Sequence, residues 1–88
     1  MKKLRKGQKV LVLREARDHE KGWDNSWEPE MDASVRKVFS VREDNRLKGV
    51  RIVDEEYLLS YPHFVLANPK TKKQLFPDDY YKQLKKES

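Results

Sequence analysis

The stretch from Trp23 to Val41 constrains the fold of this chain more than any other segment. Its large apolar side chains recur every four residues, a spacing typical of one face of an α-helix. They are Trp23, Trp27, Met31, Val35 and Phe39. Pro29 interrupts the pattern, because a proline inside a helix removes a hydrogen bond and clashes with the preceding turn. The sequence therefore argues against one continuous helix.

We divide the stretch into two elements. The first is an irregular arm from Trp23 to Ser34 with one helical turn at Pro29–Met31, because the polar residues after the first tryptophan compete for backbone hydrogen bonds. The second is a β-strand that begins at Val35, where β-branched residues follow, and it places Phe39 and Val41 on one face. The arm is then predicted to cover a small barrel as a lid, with one tryptophan buried and the other partly exposed.

Several short segments alternate apolar and polar residues and are separated by turn-forming residues, which predicts β-strands. The predicted strands are Gln8–Arg14, Val35–Arg42, Gly49–Val53, Tyr57–Tyr61 and Val65–Ala67. A long loop, Glu15–Ser34, follows the first strand, and a single turn at Pro62–Phe64 precedes the last. Five short strands at this spacing describe a small barrel or sandwich. We therefore predict a mainly β fold, a small five-stranded barrel.

The C-terminal segment has the pattern of a short helix. Pro77 fits a first helical position, the aspartates that follow it complement the positive end of the helix dipole, and the lysines near the C-terminus complement the negative end. A helix of about ten residues is marginal alone in water, so we expect it to dock. The first strand is apolar on both faces, and its outer face at Leu11 and Leu13 is the predicted docking site.

The 88 residues are 40% charged and 36% hydrophobic, which allows one domain with a small core. We expect a basic leader at residues 1–6, the barrel at residues 7–67, and a linker with the helix at residues 68–88. Cysteine is absent, so the sequence offers neither a disulfide nor a thiolate metal site, and a reducing compartment is expected. The apolar run Val10–Leu13 is too short for an export signal or a membrane span, so we expect a cytoplasmic protein without a membrane partner.

Four motifs together resemble a known kind of protein. They are G-Q-K-V-x-V at residues 7–12, G-W-x3-W-x3-M-D-x2-V-x-K-x-F-x-V at 22–41, G-V-R-I at 49–52 and Y-P-x-F-V-L at 61–66. The combination resembles small SH3-like barrel proteins encoded by bacteriophages and, more loosely, Mind bomb-type barrel modules. The resemblance implies a five-stranded SH3-like barrel over residues 7–67, with a long acidic loop after its first strand, in the cytoplasm of a host cell. Pro62–Val65 is similar to the turn before the last strand of SH3 domains that bind proline-rich peptides in an aromatic groove.

Charge is distributed unevenly along the chain, whose net charge is +5. The loop Glu15–Ser34 carries seven acidic and two basic residues, and the turn Asp54–Glu56 is entirely acidic, so the remainder is strongly basic. Outward side chains of neighbouring strands line up across a sheet, so basic residues there can follow a phosphate backbone. The candidate nucleic-acid-binding residues are Arg36, Lys37, Arg42, Arg46, Lys48 and Arg51, with Lys2, Lys3, Arg5 and Lys6 of the leader and Lys9 of the first strand as additional basic groups. The alternative is a solvated surface that keeps the protein soluble.

The arm and the last turn define a second candidate site, a groove for a host or viral protein. Its candidate residues are Trp23, Trp27, Glu28, Glu30, Tyr61, Pro62 and Phe64. Tryptophan side chains bury large areas at interfaces and in cores alike, so the same residues also fit a lid over the barrel. The acidic residues of the arm could recruit a basic partner, imitate nucleic acid, or be solvated loop charge.

The sequence shows no catalytic constellation. The two histidines, His19 and His63, have no neighbouring nucleophile motif, and the acidic run Asp24–Asp32 lacks the spacing and the central glycine of a calcium loop. We expect a non-catalytic binding module without metal, cofactor or small-molecule substrate. Nucleic acid bound through a basic strand face is the first functional hypothesis, and a protein bound in the groove is the alternative.

Overall fold

The strands form one antiparallel sheet. The computed structural model describes residues 3–53 and 59–87. Within these ranges the strands are β1 (Lys9–Val12), β2 (Val38–Asp44), β3 (Val50–Ile52), β4 (Ser60–Tyr61) and β5 (Leu66–Ala67), and one α-helix, α1 (Tyr80–Glu87), follows them. The connections contain four 3₁₀ helices: η1 (Glu20–Gly22), η2 (Pro29–Ser34), η3 (Arg46–Lys48) and η4 (His63–Val65). The predicted mainly β fold with five strands and a short C-terminal helix is confirmed.

The sheet is open. Its strand order is β4-β3-β2-β1-β5, in which β5 returns to pair with β1. Within the described residues β4 and β5 form the two edges and do not pair with each other. Ala67 of β5 pairs with Leu11 on one side and forms a single bridge with Gln74 on the other. In the described part of the chain, therefore, the strands do not close into the predicted barrel.

β1 lies near the middle of the sheet and is covered on both faces. Leu11 of β1 pairs with Val38 of β2. Val10 and Val12 are fully buried, and Leu11 is 6% exposed. The prediction that both faces are covered is therefore confirmed for the apolar residues of β1, whereas Leu13, just after the strand, is half-buried.

β2 is shifted along the chain relative to the predicted strand Val35–Arg42. Arg36 adopts a left-handed backbone conformation with a φ of 70°, which does not fit a strand. The backbone N–H of Lys37 donates to the last carbonyl of η2 at 3.0 Å, so these residues form a turn. The strand therefore begins at Val38, and it continues to Asp44 through a β-bulge.

The arm folds back onto the core without a continuous helix. Its η2 helix lengthens the predicted single turn to six residues. Trp23 is fully buried, and its indole N–H donates to the carbonyl oxygen of Lys48 at 3.1 Å. Trp27 is half-buried, and its ring packs edge-on against the ring of Tyr61 with centroids 5.7 Å apart. The prediction of one buried and one partly exposed tryptophan is confirmed.

α1 docks at a different place from the one predicted. The helix begins at Tyr80, three residues after Pro77. It packs mainly on η1 and η3 instead of on Leu11 and Leu13. The reason is that Tyr80 and Tyr81, both fully buried, pack around η4, whose three residues are buried as well. The ring contacts of this aromatic cluster hold the helix against η4.

Three predicted features lie outside the described residues. They are Lys2 of the leader, residues 57 and 58 of the predicted fourth strand, and the acidic turn at 54–56. The described part of that strand is β4. None of the helices in the described ranges has the length and apolar character needed to cross a membrane.

Gly49 occupies a position where a side chain has no room. Its φ is 104° and its ψ is −168°, a combination open essentially to glycine alone. A Cβ atom there would lie 2.7 Å from the carbonyl oxygen of Tyr61 and 2.8 Å from the indole nitrogen of Trp23. We predict that Gly49→Ala lowers the free energy of unfolding by about 2–4 kcal/mol in urea denaturation, through backbone strain and overpacking.

Gly7→Ala is the matched control. Gly7 also has a positive φ, of 88°, but a Cβ atom there would meet nothing within 4 Å. This substitution should cost only the backbone strain, about 1 kcal/mol. Equal losses for the two variants would contradict the close packing around Gly49.

Candidate functional site

The described part of the basic leader, residues 3–6, is docked along β2. The backbone N–H of Leu4 donates to a carboxylate oxygen of Asp44 at 2.9 Å. The N–H of Gly7 donates to the carbonyl of Val41 at 2.7 Å, and the N–H of Val41 donates to the carbonyl of Gln8 at 2.8 Å. The leader therefore continues the pairing of β1 with β2, and its exposed side chains lie beside the second half of β2.

The outer face of the sheet carries three further basic residues. Lys9 lies opposite Ser40, and its ammonium group donates to that hydroxyl at 2.6 Å. Arg42 lies two residues after Ser40, on the same face of the sheet. Arg51 lies on the neighbouring strand β3, opposite Glu43. We call the leader and sheet residues together the basic face. It comprises Lys3, Arg5, Lys6, Lys9, Arg42 and Arg51, of which Arg51 is half-exposed and the others are exposed.

The other candidate nucleic-acid-binding residues have different positions. Arg36 and Lys37 are exposed before the start of β2, about 20 Å from its far end by strand geometry. Lys48 is exposed in η3, the turn that joins β2 to β3. Arg46 is half-buried in the same turn, and its guanidinium donates to the hydroxyl of Tyr80 at 3.2 Å, so it supports the docking of α1. The predicted set is therefore divided between the two ends of the sheet.

The predicted protein-binding groove is not open in the structure. Trp23 and Tyr61 are fully buried, Phe64 is 1% exposed, and Pro62 is buried as well. A core this small needs nearly every large apolar side chain, so these four residues support the surface from beneath instead of lining it, contrary to the prediction. The groove residues that remain at the surface are half-buried Trp27 and exposed Glu28 and Glu30, which we call the arm surface.

Several acidic residues hold the arm itself in place. Asp18 accepts a hydrogen bond from the backbone N–H of Trp27 at 2.8 Å, and Asp32 accepts from its indole N–H at 2.7 Å. Glu20 pairs with the guanidinium of Arg14 at 3.0 Å. Burial by itself raises the pKa of Glu20, but the hydrogen bonds from Arg14 and from a backbone N–H outweigh it, so this pKa lies below its ordinary value. Part of the acidic charge of the loop is therefore structural.

A buried network that the sequence did not predict joins four segments of the chain. Nε2 of His63 in η4 lies 2.8 Å from a carboxylate oxygen of Asp44 at the end of β2. Nδ1 of His63 lies 2.7 Å from the hydroxyl of Tyr81 in α1, and that hydroxyl also accepts from the backbone N–H of His63 at 2.7 Å. Because Asp44 also accepts from Leu4, the network connects the leader, β2, η4 and α1.

One arrangement of hydrogens satisfies every polar group of this network. Asp44 accepts from the backbone N–H groups of Leu4 and Arg46. A carboxylate only accepts, so Nε2 of His63 must carry the hydrogen between the two side chains. Nδ1 then accepts from the hydroxyl of Tyr81. In the described part of the chain, no buried side-chain nitrogen or oxygen lacks a hydrogen-bond partner.

Burial and hydrogen bonding shift the ionisation of the network in a consistent way. Burial by itself raises the pKa of Asp44, but the hydrogen bonds from His63 and from two backbone N–H groups outweigh it, so this pKa lies below its ordinary value. Burial raises the pKa of Tyr80 and of Tyr81. Near neutral pH the carboxyl group is therefore ionised and both phenols keep their hydrogens.

The position of the network gives it a structural role. The side chains of His63 and Asp44 are 0% and 1% exposed. The imidazole is enclosed by the ring of Phe76, with centroids 4.8 Å apart, and by the ring of Tyr80 at 4.5 Å. A ligand cannot reach the imidazole unless these rings are displaced. We therefore assign the network to the folding of the chain and not to chemistry on a ligand.

The sequence contains one signal for this network. His63 stands in a short turn between apolar strands, where a histidine is expected to be buried and to need a hydrogen-bond partner. The partner Asp44 lies 19 residues away. Spacing alone does not identify it, because the β-bulge and the turn at η3 decide which residue of β2 faces η4.

No protein-family model, no curated protein and no solved structure matches this chain. Its function is therefore inferred from the placement of its own residues. The geometry leaves the basic face and the arm surface as the two exposed sites among those predicted.

The hydroxyl of Tyr81 completes the hydrogen bonding of His63, so its removal leaves buried polar groups without a partner. We predict that Tyr81→Phe lowers the free energy of unfolding by about 3 kcal/mol in chemical denaturation. Tyr80→Phe is the matched control, because the hydroxyl of Tyr80 bonds to the half-buried Arg46, and this variant should lose about 1 kcal/mol. Equal losses of stability in the two variants would contradict the prediction that the hydroxyl of Tyr81 stabilises the fold more than that of Tyr80.

The lowered pKa of Asp44 makes the stability of the fold depend on acid pH. The ionised carboxylate stabilises the native state above its unfolded-state pKa of about 4, and this contribution is lost as the pH falls through the lower native value. The free energy of unfolding should therefore decrease below about pH 4. Asp44→Asn should be less stable at pH 7 and should show a shallower decrease, measured by urea unfolding at a series of pH values.

Asp78→Asn is the control for the acid dependence. Hydrogen bonds from Gln74 and Lys21 lower the pKa of Asp78, but its side chain is 60% exposed, so solvent screens these interactions. The slope of stability against pH should be nearly the same in this variant as in the wild type. An unchanged slope in Asp44→Asn would contradict the role given to the buried carboxylate.

Proposed function

We propose that this chain is a non-catalytic binding module that engages nucleic acid through the basic face. One observation carries this proposal: Lys9, Arg42 and Arg51 share the outer face of the sheet, and the docked leader adds three more cations beside them. Cations held at fixed positions can neutralise successive phosphates and release their counterions, which gives affinity independent of base sequence. Glu43 lies opposite Arg51 and reduces the positive charge of this face without reversing it.

We also propose that the module is of the SH3-like kind found in small bacteriophage proteins, and that it acts in the host cytoplasm. Three features support this proposal. A long acidic loop follows β1, the η4 turn precedes β5, and β5 returns to pair with β1. The open sheet differs from the barrel that the resemblance implies, so the proposal concerns the order of the elements.

Reversing two charges of the basic face should weaken binding and its dependence on salt. We predict that Arg42→Glu/Arg51→Glu lowers the affinity for a labelled oligonucleotide at least tenfold at low salt, because each arginine contacts a phosphate. The slope of log K against log salt concentration should fall by about two, one for each lost contact. Fluorescence anisotropy over a series of salt concentrations measures both quantities.

Arg36→Glu/Lys37→Glu is the matched control. It makes the same change of charge just before the first residue of β2, away from the basic face. It should keep most of the affinity and most of the salt slope. Arg46 is left unchanged, since its contact with Tyr80 would confuse binding with folding. Equal losses of affinity in the two variants would show that the basic face is not the binding site. An unaltered protein that binds no oligonucleotide at low salt would contradict the nucleic-acid function altogether.

A second candidate function rests on Trp27. Its ring is half-exposed, and its backbone and indole N–H groups are fixed by Asp18 and Asp32. Glu28 and Glu30 are exposed next to it in the chain. A fixed indole with acidic neighbours suits a basic segment of a protein, since cations are attracted to the face of a tryptophan ring. We propose protein binding at the arm surface as the alternative to nucleic-acid binding.

The arm surface has its own test. If it binds a basic protein segment, the immobilised chain should retain a partner from nuclease-treated host lysate, and Glu28→Lys/Glu30→Lys should retain at least tenfold less of it, because the charge complementarity is reversed. Glu15→Lys/Glu43→Lys carries the same change of charge elsewhere and should bind normally. Retention of the same partner by Glu28→Lys/Glu30→Lys would contradict the alternative, and loss of the partner on nuclease treatment would assign it to nucleic acid.

A further inference from the structure

A cleft of about 440 Å³ lies between the leader and the segment that precedes α1. Its lining residues are Lys3, Leu4, Arg5, Gln8, Leu75, Phe76 and Pro77. We propose that this cleft receives an unpaired nucleobase, so that the module binds single-stranded nucleic acid more tightly than duplex. The inference rests on the proposed function, because the basic face must hold the phosphates on either side of the base.

Hydrogen bonds fix both walls of the cleft. On the leader side, the N–H of Leu4 donates to Asp44, and Arg5 and Gln8 are bonded to each other twice: the N–H of Gln8 donates to the carbonyl of Arg5 at 3.1 Å, and the N–H of Arg5 donates to Oε1 of Gln8 at 3.2 Å. On the other side, the N–H of Leu75 donates to the carbonyl of Leu66 at 2.9 Å. The cleft is therefore formed before a ligand arrives, which lowers the entropic cost of binding.

The lining has the chemistry that a nucleobase requires. Leu4, Leu75 and Pro77 supply apolar contacts for the faces of a base. The guanidinium of Arg5 is planar, and such planes stack on bases while their charge attracts a phosphate. The side-chain oxygen of Gln8 is occupied by Arg5, so the amide NH₂ group of Gln8 is the part that can donate to a polar edge of a base.

In the described part of the chain, the outer face of the sheet does not offer the same contacts. The large apolar side chains exposed there are Val38 and Val53, at 49% and 55% exposure, and neither carries a flat ring on which a base can stack. A duplex, whose bases are stacked and paired, can reach this face with its phosphates alone. A single strand can also contact this face with its phosphates, and in addition it can insert a base into the cleft. We therefore expect single strands to bind more tightly than duplex.

The charges around the cleft favour nucleic acid over an acidic peptide as the ligand. Lys3 and Arg5 line the same cleft two residues apart on the leader, about 6.6 Å along an extended chain. A second depression lined by Arg5, Lys6 and Gln8 adjoins the first through their shared residues. The row of cations then continues to Lys9 on the sheet. Such a row suits a polymer that carries a charge at every unit.

The test compares an unpaired oligonucleotide with a hairpin duplex of similar length, about 12 nucleotides, within the site sizes of small single-strand binders. Labelled oligothymidylate and oligouridylate serve as the unpaired DNA and RNA probes, and anisotropy gives the affinities at one salt concentration. We expect the full chain to bind at least one unpaired probe about tenfold more tightly than the duplex. Leu75→Ala/Pro77→Ala removes two apolar contacts of the cleft and leaves every residue of the basic face unchanged, so it should abolish this difference without weakening duplex binding. Arg17→Lys, at an exposed arginine of the loop Glu15–Ser34, should behave as the wild type.

Four outcomes would overturn the inference. Equal affinity of the wild type for unpaired and duplex probes would do so while leaving the proposed function intact, whereas binding of neither probe would remove both. A preference for single strands that persists in Leu75→Ala/Pro77→Ala, with the fold verified by circular dichroism, would show that the base does not bind in the cleft. Tighter binding of an acidic, leucine-containing peptide than of either oligonucleotide would make the cleft a peptide site.

Discussion

The buried contact between Asp44 and His63 is the interaction on which the rest of the structure depends. Its polar groups are satisfied only when the leader, β2, η4 and α1 are all in place, because Leu4 and Tyr81 complete the hydrogen bonding. An unsatisfied buried polar group costs about 1–3 kcal/mol, and a whole domain is stable by only about 5–15 kcal/mol. Loss of one segment therefore removes hydrogen bonds from the others, and the network ties the two ends of the described chain to the sheet.

The same network decides which side chains are left for binding. The rings of Phe76, Tyr80 and Tyr81 surround His63. The ring of Phe64 packs against Tyr81, so this residue of the predicted groove belongs to the core. The backbone of the leader is held against Asp44 and β2, which directs its basic side chains outward beside Arg42. Leader residues 3–6, which are already held in place, lose less conformational entropy when they meet a partner than a free basic tail would. The basic face is in this sense a consequence of the buried carboxylate.

The features predicted correctly from the sequence are those with a local cause. Alternation of apolar residues marks the strands, Pro29 breaks the helical pattern of the arm, and the size of the core requires one tryptophan inside it. The features that were missed depend on contacts between distant residues. The left-handed conformation of Arg36 moves the start of β2, and the β-bulge in β2 helps to place Asp44 against His63; neither has a clear local signal. The docking site of α1 follows from the contact between Asp44 and His63, so it could not be predicted either. The division of the basic residues between the two ends of β2 became visible only once the pairing register of the strands was known.

The hydrogen positions in the network give the most direct test of its central role. Nitrogen chemical shifts of the His63 imidazole, measured by NMR on the isotopically labelled chain at neutral pH, distinguish the two neutral tautomers. The structure requires the hydrogen on Nε2, facing Asp44, and a lone pair on Nδ1, facing the hydroxyl of Tyr81, with slow exchange of the Nε2 hydrogen because the ring is enclosed. A hydrogen on Nδ1, or an imidazole that averages between tautomers in contact with solvent, would contradict it.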